Sequence, residues 1–128
     1  MAHGKFGTVI NCMDGRTQSP VMSWMKETFH LDYVDTITEA GPDKILASED
    51  GLTTNSIKAR ARISTQAHGS KVIVVVAHHD CAGNPVDKAQ HLLHLEKAVQ
   101  SIRSWNLPVD FITAIWVNQD WQVELIEV

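Results

Sequence analysis

The sequence lacks any apolar run long enough to cross a bilayer. Its longest, VIVVVA at 72–77, has six residues against the ~20 that a spanning helix needs. It also lacks a basic excess: 11 Lys and Arg stand against 15 Asp and Glu, the net charge is −4, and the basic residues are dispersed. A nucleic-acid partner would call for the opposite balance. The opening MAHGKFG has no apolar segment of a secretory leader, so a cytoplasmic location is expected. Repeats, low-complexity tracts and linkers are missing as well, and 128 residues suit one domain over 1–128 with one core. Cysteine is scarce. Two residues permit one disulfide, but in a cytosolic chain of this size a metal or catalytic role is commoner, with two inert buried thiols as the bland alternative. Composition does not choose between these, so the neighbours of each cysteine must.

What is present is an alternation of strand-like and helix-like segments. FGTVINC (6–12) is a short β-branched run, and KVIVVVAH (71–78) is apolar on both faces, as a central strand of a covered parallel sheet should be. DYVDTITEAG (32–41) and DFITAIWV (110–117) read as further strands, and WQVELIEV (121–128) as an edge strand hairpinned to the last of them. Between them, 17–30 reads as a helix with Ser19 as N-cap, Pro20 at its first position, and Val21, Trp24, Met25 and Phe29 at helical spacing. A second helix is expected over 50–68, with Leu52, Ile57, Ala61 and Ile63 inward and Gly69 as its stop. A third covers 86–106, with Leu92, Leu95, Val99 and Ile102 inward. The order βαβαβαββ predicts an α/β fold: an open, mostly parallel sheet flanked by helices, with an antiparallel C-terminal edge strand. Ligands of such sheets sit at the carboxyl ends of the strands, near a switch in strand order.

Both cysteines fall at that edge. Cys12 closes the first strand; His78 closes the 71–78 strand, and Cys81 follows in the loop. If the two strands are neighbours, Cys12, His78 and Cys81 converge. Two thiolates and one imidazole leave one position of a tetrahedral Zn²⁺ open, the pattern of a catalytic site, and sulfur with imidazole favours zinc over magnesium or calcium. Asp14 follows Cys12 by two residues and Arg16 by four. A carboxylate so close to a ligand would reach the metal; a guanidinium can hold it away in a bidentate pair. Read blandly, the two are a surface ion pair capping a turn. His79 reads as a structural or exposed histidine rather than a proton shuttle, His91 and His94 as helix surface, Asp80 as a partner of a ligand or plain loop, and Met13 and Gly15 as packing and turn positions.

CMDGR (12–16) followed by HHDC (78–81) resembles the Cys-x-Asp-x-Arg and His-x-x-Cys signature of the β-class carbonic anhydrases, over roughly residues 6–118. The resemblance implies a parallel α/β fold, zinc on Cys12, His78 and Cys81, and an Asp14–Arg16 dyad that gates and orients the fourth zinc position. It implies reversible hydration of CO2 to bicarbonate by zinc-bound hydroxide. With two thiolates on the metal, the bound water should be acidified less than on three imidazoles, so activity should favour mildly alkaline pH.

The match marks a short, divergent member. The chain starts eleven residues before Cys12, where the family has longer helices that wrap a partner subunit; a homo-oligomer, a dimer, is still the expected assembly. TEAG (38–41) puts Glu39 near the place of the family's Asn, a charge that would repel an anion, and Gly15 and Ala82 replace the family's usual Ser and Gly. Two alternatives stay open: a related zinc hydrolase of COS or CS2, and a zinc-binding domain without catalysis, which the intact dyad disfavours. A redox role for the two cysteines is disfavoured by the missing Cys-x-x-Cys pair.

Overall fold

β-Branched residues fill positions 72–76, a composition that packs well when both faces of a strand are covered. In the computed structural model, which describes residues 3–48 and 51–128, this segment is strand β3 (Val72–His78), buried along its whole length. It pairs in parallel with β1 (Phe6–Cys12) on one side and β4 (Phe111–Val117) on the other. β2 (Tyr33–Glu39) adds in parallel outside β1, and β5 (Val123–Ile126) adds antiparallel outside β4. The sheet order is β2-β1-β3-β4-β5, the expected open sheet with one antiparallel edge. The chain leaves β1 to one side for β2, then returns to the other side for β3. That reversal opens a crevice where the carboxyl ends of β1 and β3 part.

Helices cover both faces. The period of two along β3 sends Ile73, Val75 and Ala77 to one core with Ile57, Leu95, Val99 and Ile102, and Val72, Val74 and Val76 to another with Val21 and Met25. The first core lies under α2 (Pro42–Ala47), α3 (Gly51–Ala67) and α4 (Lys88–Arg103), and the second under α1 (Gln18–Phe29). On α4, Leu95, Val99 and Ile102 are buried and Leu92 is partly so, as the pattern predicts.

Three expectations change. Ser19 does not cap α1: a 3₁₀ turn at Gly15–Thr17 runs straight into the helix, which starts at Gln18 and puts Pro20 third. Asp14 supplies the capping oxygen one turn earlier, accepting from the Arg16 N–H at 2.9 Å. Helix α2 breaks the segment after β2 that the sequence left without an element; six residues carry too little periodicity to announce it. On α3, Ile57 and Ala61 are buried, but Leu52 and Ile63 are 86% and 60% exposed. Ile63 follows Ala61 by two residues, which on a helix is nearly the opposite face. The inner face is instead completed by Ser64, whose hydroxyl meets the Thr8 hydroxyl at 2.6 Å and donates to Asp35. Among the described residues no helix is long and apolar enough to cross a membrane.

Candidate metal centre

Cys12 ends β1 and His78 ends β3, so their positions follow from the pairing of the two strands at Thr8–Ile10 with Ile73–Val75. Beyond β3 the chain turns sharply at Asp80, in the left-handed region (φ 59°), and carries Cys81 back beneath the strand ends. The Sγ atoms of Cys12 and Cys81 and a ring nitrogen of His78 all lie within 4.8 Å of one another, and all three residues are buried. Among the described residues they are the only such group of three or more His, Cys, Asp or Glu. The two sulfurs are 3.9 Å apart, nearly twice a disulfide bond length, and both cysteines are free.

The donors fit a tetrahedral metal. His78 Nδ1 donates to the His79 carbonyl at 2.7 Å, which leaves Nε2 as the bare nitrogen; Nε2 is buried and has no hydrogen-bond partner. An imidazole fixed through one nitrogen, with the other left without a partner, is how a metal-ligating histidine is held. The sulfurs are prepared too. Backbone N–H groups of Gly41 and Asp14 face Cys12, and those of Gly83 and Asn84 face Cys81. Without a metal the three groups share protons. The Cys81 thiol, followed by His78 and the backbone donors, holds the Cys12 thiol down to about 4 against the cost of burial, while the Cys12 sulfur pushes Cys81 up. Burial pulls His78 down, but the Cys12 sulfur and the His79 carbonyl outweigh it and the net shift is upward.

Asp14 and Arg16 stand beside this group as a bidentate pair. Arg16 Nε donates to Asp14 Oδ1 at 3.1 Å and Nη2 to Oδ2 at 2.7 Å. The guanidinium holds the Asp14 carboxyl at about 2, well below its ordinary value, and is itself raised. Asp14 is therefore an anion and a pure acceptor at neutral pH.

A family model described as "Putative carbonic anhydrase" matches residues 2–127. The chain belongs to this family. No curated protein matches it. Among solved structures it is similar to β-carbonic anhydrase isoform I of Trichomonas vaginalis, at 14% identity with a TM-score of 0.60 over 93% of this chain and 81% of that one. It is likewise similar to the apo form of a carbon disulfide hydrolase, at 15% identity and TM-score 0.61 over 94% and 78%. A tetrameric β-carbonic anhydrase of Sordaria macrospora matches at 11% identity and TM-score 0.55, over 97% and 81%. These likenesses establish the β-carbonic anhydrase fold for the chain.

Within this carbonic anhydrase fold, several residues take places that the sequence did not reveal. Arg16 has two further partners. Its Nη1 and Nη2 reach Asp80 Oδ2 and the Asp80 carbonyl at 3.3 and 3.2 Å, and its guanidinium lies over Trp121, 4.4 Å from the ring centre. Asp80 thus serves the dyad, and His79 is exposed as expected. Gln18 ties the start of α1 to the site by donating to the Cys12 and Asp14 carbonyls, each at 2.8 Å. Glu39 is not a free negative charge: Arg60 of α3 pairs with it. Met13, read as packing, is 65% exposed, and a Cβ at Gly15 would meet nothing within 4 Å, so packing does not dictate glycine there. Ala82 is exposed, while Gly83 beside it is the residue in tight contact: a Cβ there would lie 2.4 Å from the Ala40 carbonyl carbon.

His91 reverses its expectation. It is buried, 1% exposed, and bonded to the buried Asp43; His94 is partly covered beside it. Their spacing on α4 does set them on one side, but the presence of α2 turns that side into an interior.

Proposed function

We propose that the chain is a zinc-dependent carbonic anhydrase that interconverts CO2 and bicarbonate, with Cys12, His78 and Cys81 as the metal ligands and Asp14 and Arg16 as the catalytic pair. One observation carries this reading: two sulfurs and a bare imidazole nitrogen meet within 4.8 Å at the β1–β3 crevice, beside a carboxylate locked by a guanidinium. When bound, zinc supplies a Lewis acid that brings the pKa of water towards neutrality.

The chain's own residues supply positioning. Arg16 fixes both oxygens of Asp14, so the carboxylate cannot swing freely towards the metal ligands. Being ionised, Asp14 accepts a hydrogen bond and donates none, which orients an attacking water oxygen with a lone pair towards the carbon of CO2. Asp80 and Trp121 hold Arg16 from two further sides and reduce the entropy lost on ordering it. A cleft of about 590 Å³, bounded by Cys81, His79, Asp80, Trp116 and Asn118, offers the way in. The net reaction, CO2 + H2O to HCO3⁻ + H⁺, needs no oxidant and no further cofactor.

A second reading, hydrolysis of CS2 or COS, would use the same residues and is favoured by the likeness to a carbon disulfide hydrolase. A homodimer and a cytoplasmic location belong to the proposal as well. Stopped-flow CO2 hydration on zinc-loaded protein tests it. Wild type should exceed Asp14→Ala by about 10²–10⁴-fold, the usual worth of a positioned acid–base group. Equal rates for the two proteins, or turnover of CS2 with none of CO2, would reject the first reading.

A further inference from the structure

A buried polar network joins α2, α4 and the loop after Cys81. Asp43 is fully buried, and its Oδ2 meets His91 Nδ1 at 2.6 Å and accepts from Asn84 Nδ2 at 3.0 Å. The same Asn84 amide lies 2.9 Å from His94 Nδ1. Burial pulls His94 below its ordinary value although Asp43 raises it, and a neutral ring can accept from the amide at Nδ1. Asp43 Oδ1 and His91 Nε2 are buried without partners. An apolar packing of α2 on α4 would avoid that desolvation, so the network is expensive as mere structure.

Its geometry leads to the metal centre. Asn84 follows Cys81 by three residues, in the loop that carries that sulfur. Gly83 in turn stacks on Ala40 and Gly41 so closely that neither glycine has room for a Cβ: the nearest backbone atoms would be at 2.4 and 2.8 Å. Gly41, in the left-handed region at φ 69°, lies two residues beyond Glu39, which pairs with Cys12 across the sheet and accepts from the Met13 N–H at 2.9 Å. The loop after Cys81 and the turn beside Cys12 are therefore pressed together. Asp43 stands two residues beyond Gly41 and grips the side chain of Asn84.

We propose that Asp43, His91 and Asn84 are positioning residues for the metal centre, locking the Gly83–Asn84 loop onto the Ala40–Gly41 turn so that Cys81 and Cys12 keep their spacing. This rests on the reading of Cys12, His78 and Cys81 as zinc ligands. His91 anchors Asp43 from α4, Asp43 holds Asn84, and Asn84 fixes the loop that bears Cys81. Contacts that orient a ligand set metal affinity along with the ligand itself, so loosening this chain of contacts weakens metal binding without removing a ligand.

The test compares wild type, Asp43→Asn, Asn84→Asp and the double exchange of both. Zinc affinity is read by competition with a chromophoric chelator, and site geometry by the thiolate-to-cobalt absorption of Co²⁺-loaded protein. Each single variant should bind zinc about 10- to 100-fold more weakly and shift the cobalt band. The double exchange restores an amide facing a carboxylate between 43 and 84 but leaves His91 on an amide and His94 on a carboxylate, so it should recover only part of both. Single variants with wild-type affinity and spectrum would overturn the proposal, as would a loss only in the melting temperature of metal-free protein. Should the variants not fold, hydrogen exchange on wild type decides: zinc loading should slow exchange in 41–46 and 83–91, and unchanged rates there would overturn the proposal. A wild type that takes up no zinc would instead strike down the ligand assignment itself.

Discussion

Arg16 grips both carboxylate oxygens of Asp14, through Nε at 3.1 Å and Nη2 at 2.7 Å, only two residues along the chain. So short a loop closes a bidentate pair because Gly15 lies in a 3₁₀ turn that Asp14 itself caps. The backbone bond and the side-chain bonds share one oxygen of Asp14, so local folding and charge pairing support each other. Such an exposed pair is worth little as a stabiliser, with Arg16 47% exposed at its side chain. In the proposed reaction its value is in direction.

Arg16→Lys should separate direction from charge. Lysine keeps the cation but loses the fork that matches a carboxylate. A carboxylate displaced by about 1 Å costs on the order of 100-fold in rate. The expected result is a hydration rate lower by that order, with zinc content unchanged, measured by stopped flow and metal analysis. A rate within twofold of wild type would show that the fork does not matter.

Trp121 should have a smaller, graded effect. A cation over an indole face at a partly exposed site is worth about 0.5–1 kcal/mol, or roughly two- to fivefold in rate. Trp121→Ala should lose about that much, and Trp121→Phe less, because a phenyl face still receives the guanidinium. Steady-state hydration assays at one pH suffice. A loss of several hundredfold from Trp121→Ala would mean that Trp121 touches the reaction directly.

The pH dependence of the dyad has a defined sign. Arg16, through its side-chain hydrogen bonds, depresses Asp14 from 3.8 to about 2. A depressed carboxylate contributes stability that is fully present above its unfolded value and is lost as pH falls through its folded value. The difference in melting temperature between metal-free wild type and Asp14→Asn should therefore be flat from neutral pH down to about pH 5 and shrink only below about pH 4. Asparagine still caps the Arg16 N–H, so the comparison isolates charge. A difference that closes by about pH 5 would contradict the shift.

These predictions rest on residues that the sequence exposed unevenly. Cys12, His78 and Cys81 were legible because β1 and β3 are short apolar runs whose ends can be counted, and a parallel sheet puts both ends at one edge. Asp14 and Arg16 followed from their spacing to Cys12. His91 was not legible: on α4 it stands next to Leu92 at a position that could face water, and only Asp43, 48 residues earlier, makes it interior. Asp43 was hidden in turn because α2 is one and a half turns long. Trp121 sits in the Asn118–Gln122 turn with φ 58°, where no propensity rule anticipates a large ring folded over an arginine from residue 16. Periodicity reports which face an element buries; it says little about which loop returns to which site.

The most direct measurement is the zinc content of the purified chain and of Cys12→Ser, His78→Ala and Cys81→Ser, each prepared with ample zinc. Folding is checked in parallel by circular dichroism. The account predicts about one zinc per wild-type chain and none retained in the folded variants, because each removes one of the three proposed ligands. Wild-type protein without zinc, or folded variants that keep a full equivalent, would contradict it.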